Sequence, residues 1–152
     1  MIRECTNEDM QMISEYLSGG VYGRAILAAV NAYGFAERFQ TVYVDVEAGQ
    51  CEGVYLWLHG NLFLYSKKNK VEIDFLEQMF GIEAPELVAG RKDNVNIVSW
   101  LLTDYFREET EKMPVVRDRA GAVVEGVEAA GDGGDIWCVL SREELEDGRK
   151  VR

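Results

Sequence analysis

The sequence predicts an α/β fold: a mixed, mainly antiparallel sheet with helices on both faces. Two observations lead there. First, residues 41–66 read as three short strands, 41–46, 53–58 and 62–66, joined by tight turns. Alternation sends Val42, Val44, Val46, Val54, Leu56, Leu58, Leu62 and Leu64 to aliphatic sets, and Tyr43, Tyr55, Trp57, Phe63 and Tyr65 to the opposite set. With those sets in register neither face of the meander is polar, and a sheet that is apolar on both faces needs cover on both. Second, stretches with helical hydrophobic spacing flank the meander on either side in the chain, ready to supply that cover.

In order, residues 1–5 form a first strand. Thr6 then offers a helix cap, with Asp9 three residues on as a weaker version of the capping box. Met10, Ile13 and Leu17 follow at i, i+3 and i+7, one apolar stripe that stops at Gly19-Gly20. A second helix covers residues 22–33, with Ile26, Leu27, Val30 and Tyr33 inward and Gly34 as its stop. Within the meander, Gly49 can take the positive φ of a tight hairpin, and His59-Gly60-Asn61 makes a similar turn.

After Ser66 comes Lys67-Lys68-Asn69-Lys70, then a helix over residues 72–80. It presents Ile73, Leu76 and Phe80, with Phe75 and Met79 beside them, and stops at Gly81. Pro85 marks a loop, residues 86–89 a short strand and Gly90 a turn. Asp93 caps what reads as the longest helix, running to about Glu109 with Val95, Val98, Leu102, Tyr105 and Phe106 on its buried side. Beyond Pro114 no Tyr or Phe remains and glycines thicken. Residues 115–116, 122–127 and 136–140 read as strands, the last two linked by the glycine-rich 131–135. Ser141 starts a terminal helical turn and residues 148–152 fray.

A chain of 152 residues is one domain, and that size buries roughly 68–70% of its unfolded surface without staples. The core of the domain is residues 1–112; residues 113–152 are either its final strand pair or a partly ordered tail, in which case the chain is a piece of a longer enzyme. A formal charge of −11, spread along the chain, repels phosphate backbones and argues against nucleic acid as a partner. Three cysteines, Cys5, Cys51 and Cys138, with no metal spacing fit a reducing compartment. With no apolar run of membrane length and no signal-peptide core, the expected location is cytoplasmic.

The element order β-α-α-β-β-β-α-β-α, with a possible β-β to close, resembles the GNAT N-acetyltransferase superfamily. The opening Ile2-Arg3 and Thr6-Asn7-Glu8-Asp9 looks like the start of many members. Tyr33-Gly34-Phe35, Val42-Tyr43-Val44-Asp45, Gly53-Val54 and Gly90-Arg91-Lys92-Asp93 are similar to the N-terminal units of larger bacterial acetyltransferases with two GNAT-like halves. The resemblance implies an acetyl-CoA donor, an amine acceptor and a tyrosine general acid on the last long helix, for which Tyr105 is the nearest equivalent. It also implies a Q/R-x-x-G-x-G/A signature after the fourth strand, whose glycines let backbone N–H groups turn around a pyrophosphate. Here that junction, residues 66–71, contains no glycine. Left-handed non-glycine residues cost about 1–2 kcal/mol each, so the usual cradle is not expected. Lys67, Lys68 and Lys70 would attract phosphate, but exposed charges contribute only about 0–1 kcal/mol.

Other residues carry a chemical reading beside a plainer one. His59, the single histidine, suits proton removal from an amine near neutral pH, or is a turn histidine bonded to backbone or water. Tyr43, Tyr55, Trp57 and Tyr65 would line an apolar substrate pocket with polar tips, or form core under a helix. Residues 90–94 have the shape of an anion-binding helix start, which Asp93 opposes, so ordinary capping is the expectation. Asp132 and Asp135 lack the spacing of a calcium loop, and no metal is expected.

Together these point to a GNAT-related domain, degenerate at the pyrophosphate loop and shaping a substrate pocket or an interface. The alternatives are an active N-acyltransferase holding its donor through Lys67, Lys68 and the helix after them, and a non-catalytic binding or dimerisation module. Expected partners are a small molecule or amine, a second copy, or a partner GNAT unit. The feature to look for is a cleft between the strands at Leu62 and Glu86.

Overall fold

The computed structural model describes residues 1–124 and 135–144. The elements are β1 (Ile2–Glu4), a 3-10 turn (Asn7–Asp9), α1 (Met10–Leu17), α2 (Val21–Tyr33), β2 (Gln40–Glu47), β3 (Gln50–Leu58) and β4 (Asn61–Tyr65). Then come α3 (Ile73–Ile82), β5 (Leu87–Gly90), α4 (Lys92–Ser99), β6 (Phe106–Thr110) and β7 (Trp137–Ser141). This is the predicted GNAT-like order, closed by a strand pair. The seven described strands form one sheet, β1-β2-β3-β4-β5-β7-β6, antiparallel except for the parallel pair β4–β5.

Helices cover both faces, as two-sided hydrophobicity required. On one, Ile13 and Leu17 of α1 and Ala25, Ile26, Ala29 and Val30 of α2 pack on Val42, Val44, Val54, Leu56, Leu58 and Phe63. On the other, Leu76 of α3 and Val95 and Val98 of α4 pack on Tyr55, Leu62, Leu64, Val88 and Leu140. The entry to α1 is the predicted capping box: Asp9 accepts from the Thr6 N–H at 2.8 Å, and Arg3 grips Asp9 with two bonds of 2.8 and 2.9 Å.

The turns decide which side chains share a face. Ala48-Gly49 and His59-Gly60 have positive φ at both positions, 52° and 79°, then 51° and 82°, as two-residue type I′ hairpins need. The second turn pairs Leu58 with Asn61, so Trp57 meets Leu62, Leu56 meets Phe63 and Val54 meets Tyr65. Even-numbered residues of β3 therefore share a face with odd-numbered ones of β4. Phe63 and Tyr65 join the aliphatic face under α1 and α2, while Leu62 and Leu64 join Tyr43, Tyr55 and Trp57. The predicted aromatic set is thus divided.

Six further expectations are corrected. α3 runs through Gly81 to Ile82, and Pro85, which disfavours helix at the residue before it, ends it instead. Gly90 closes a strand rather than making a turn. The helix expected to reach Glu109 ends at Ser99, and residues 106–110 become β6. Helical spacing lost there because β7, buried along its length, needs backbone partners on its outer edge, and residues 106–110 supply them. Val115 and Val116 lie outside any strand, Val123 makes a single bridge to Arg117, and Ser141 ends β7. The predicted strand beyond Val124, the linker before Asp135 and the chain's end beyond Glu144 lie outside the described residues.

Candidate functional site

The bend from β4 into α3 is where the resemblance places its donor-binding loop. Asn69 takes the one positive φ in it, 59°, a conformation asparagine tolerates better than most residues. Around that residue the amides turn to acceptors within the chain. Ser66 N–H donates to Asn94 Oδ1 at 3.0 Å, Lys67 N–H to Tyr16 Oη at 2.8 Å and Asn69 N–H to Ser66 O at 3.2 Å. Lys70 N–H donates to Ser66 Oγ at 2.8 Å and Glu72 N–H to Tyr55 Oη at 2.9 Å.

The three lysines do not converge. Lys67 Nζ sits 4.8 Å from the centre of the Tyr16 ring and Lys68 is exposed. Lys70 reaches back to the buried Asp45 at 3.3 Å and to Glu47 at 3.6 Å. Burial opposes the charged form of Lys70, yet the bond to Asp45 prevails and holds its ammonium above the ordinary lysine range.

Beside this bend, β4 and β5 stay paired from Asn61 with Leu87 to Leu64 with Gly90, so the cleft sought between them is closed by sheet hydrogen bonds. The approach is close: a Cβ on Gly90 would stand 2.8 Å from Leu64 O. Where the strands end, the Asn94 amide, 0% exposed, replaces a strand partner, accepting from Ser66 N–H and donating to Ser66 O at 3.1 Å and to Asn69 Oδ1 at 2.8 Å. Arg91, not Asp93, occupies the cap position of α4. Its guanidinium donates to Ser66 O, Lys67 O and both Asp93 oxygens at 2.7–3.0 Å. The Asp93 bond, only partly offset by burial, raises its already high pKa. The predicted helix start thus holds its own side chains.

A cavity of about 270 Å³ opens between the sheet and α3, lined by Tyr43, Trp57, Phe75, Met79 and Ile82, with Gln78 and Glu83 among its polar members. The rings of Tyr43 and Phe75 meet edge to face at 5.0 Å. Burial, with a smaller push from Glu4 across β1–β2, raises the Tyr43 phenol's pKa. Of the four predicted pocket residues this cavity keeps Tyr43 and Trp57. Tyr55 is core whose hydroxyl holds the start of α3, and its pKa is pushed up mainly by burial. Tyr65 projects from the other face, against Tyr16, Tyr22 and the Arg91 guanidinium. Phe75 and Met79 were visible as an i, i+4 pair flanking the buried stripe of their helix; nothing local marked Ile82 or Glu83.

His59 and Tyr105 lie at the opposite end of β4 and β5 from the Ser66 bend, about 17 Å away along a five-residue strand. His59 stacks on Phe39 with ring centres 4.5 Å apart and planes 3° apart, and burial lowers its pKa. Tyr105 follows α4 in a loop and donates to Pro85 O at 2.6 Å. The two share this end of the sheet, where Glu86 N–H, next to Pro85, donates to Gly60 O, next to His59, at 2.9 Å, and both are remote from the bend. Among the described residues no group of three or more His, Cys, Asp or Glu is arranged to hold a metal ion, and no helix is long and apolar enough to cross a membrane.

No protein-family profile and no curated protein sequence matches the chain. Among solved structures it is similar to an acetyltransferase of the GNAT family from Streptococcus pneumoniae. The sequence identity is 12% and the TM-score 0.49, over 93% of this chain and 98% of that one.

Proposed function

We propose that this chain is a GNAT-related domain that does not grip acetyl-CoA at its β4–α3 bend and works as a binding unit through the cavity under α3. The carrying observation is the fate of the bend's amides. A pyrophosphate cradle needs several N–H groups free and pointing inward. Here the amides of Ser66, Lys67, Asn69, Lys70 and Glu72 each bond within the chain. Freeing them leaves buried partners such as Tyr55 Oη and Asn94 Oδ1 unsatisfied, at about 1–3 kcal/mol each. The residues at this bend do not fit the group that the resemblance implies.

The alternative in which lysines hold the donor has less support, since Lys70 is paired with Asp45 and Lys67 lies over Tyr16. The cavity favours a binding role: it is concave and walled by aromatic and aliphatic side chains, with a few polar groups. Calorimetry with acetyl-CoA tests the reading. No heat of binding at micromolar concentrations is expected. A micromolar dissociation constant, lost when Lys67 and Lys68 are replaced by alanine, would restore the acyltransferase.

A further inference from the structure

We propose that the cavity under α3 is an aromatic cage for a quaternary ammonium group, a trimethylammonium compound with a short polar tail. The inference rests on the reading of this cavity as the domain's ligand site and names the class of ligand it takes. Tyr43, Trp57 and Phe75 supply three rings. Tyr43 and Phe75 meet edge to face, and Trp57 adds a third ring to the same lining. The faces of such rings are electron-rich and attract a cation, more strongly when it is desolvated.

Among the described residues no cation of the chain lies over those rings. Its cation–ring contacts, Lys67 on Tyr16 and Arg91 on Tyr65, are at other rings, and Arg119 is committed to Glu83. Glu4, paired across the sheet from Tyr43, and the chain's net charge of −11 draw positive ligands toward this side.

Hydrogen bonding then selects the kind of cation. A primary ammonium brings three N–H donors. The one carboxylate in the lining, Glu83, already bonds Arg119, which lowers the pull of this cavity on such a group relative to a cation that needs no acceptor. A quaternary ammonium has no N–H and spreads its charge over methyl groups, which Met79 and Ile82 contact without penalty. The Tyr43 hydroxyl and the Trp57 indole N–H have no hydrogen-bond partner among the described residues and are available to a polar tail. Size is compatible: an apolar cavity of about 150 Å³ already admits benzene, and this one is about 270 Å³.

The test compares choline with 3,3-dimethylbutan-1-ol, the same shape with carbon in place of charged nitrogen, each titrated into the full chain by calorimetry and tryptophan fluorescence. Choline should bind with a dissociation constant of roughly 1–10 mM or tighter, and the neutral alcohol at least about tenfold more weakly. Trp57→Leu keeps an apolar wall but removes the ring face, and should weaken choline by roughly fivefold to thirtyfold. Equal affinity for the two compounds, choline binding untouched by Trp57→Leu, or no saturable signal up to about 50 mM choline would each overturn the cage. If Trp57→Leu does not fold, the comparison of the two ligands in the unaltered protein decides alone. Acetyl-CoA binding at the bend is read separately, so its appearance would refute the binding-unit reading, whereas a failed choline titration without it refutes only the cage.

Discussion

Replacing Asn94 by alanine removes the side chain that completes the sheet where β4 and β5 end. Asn94 is 0% exposed and makes three hydrogen bonds, two to the Ser66 backbone and one to Asn69. Ser66 O keeps its bond from Arg91, and the half-buried Asn69 side chain has access to water. The Ser66 N–H, in a residue 2% exposed, is left without an acceptor. An orphaned buried donor costs about 1–3 kcal/mol, and the space left by the amide adds about 1 kcal/mol through lost packing. A total near 2–4 kcal/mol should lower the melting temperature by about 4–16 °C for a domain of this size. In urea the midpoint should fall with the slope unchanged. Asn94→Asp keeps an acceptor for Ser66 N–H but sets a second oxygen against Ser66 O and Asn69 Oδ1, and should be no more stable than alanine. A loss below about 0.5 kcal/mol in Asn94→Ala, within the range of ordinary surface changes, would refute the claim that this amide stands in for a strand.

Two other outcomes are expected. Helix propensity alone says that Gly23→Ala stabilises α2 by about 1 kcal/mol, but the new Cβ would stand 2.2 Å from Leu17 O, a backbone atom that cannot swing aside. The variant should instead lose at least about 1–3 kcal/mol as α1 and α2 are forced apart; a higher melting temperature would refute the close crossing. His59 is held below its ordinary pKa, chiefly by burial. The unfolded chain therefore takes up the proton first, so this stability is fully present above about pH 6.5 and is lost as pH falls from there toward the folded value. His59→Asn, a residue that tolerates the positive φ at this turn, should flatten that part of the urea-midpoint profile; identical acid profiles would show that His59 contributes nothing to it.

Local chemistry made much of the fold readable. The strands of the meander, its glycine-bearing turns, the Thr6–Asp9 cap and the helices α1 to α3 each follow from the spacing of a few neighbouring residues. The candidate site was half readable. Tyr43 and Trp57 lie on one face by simple alternation, and the missing glycines at residues 66–71 were visible in the sequence. That Tyr65 belongs to the opposite face depends on the parity set by the two-residue turn at His59-Gly60, which alternation within a strand does not reveal. The helix read through Glu109 failed for a related reason: Phe106–Thr110 has its partners more than 25 residues away, in β7.

By itself, then, the sequence determined the periods: where the chain is extended, where it coils, and that both faces of its sheet need cover. Those are short-range properties, set by side-chain spacing and by residues that stop or cap a turn. Only the tertiary structure decided that Asn94 closes β4 against α4, that Lys70 pairs with Asp45, and that Phe75 completes the cavity begun by Tyr43 and Trp57. Each of these joins groups far apart in the chain, and burial, which raises the cost of any unpaired polar atom, selects among partners that spacing leaves equivalent.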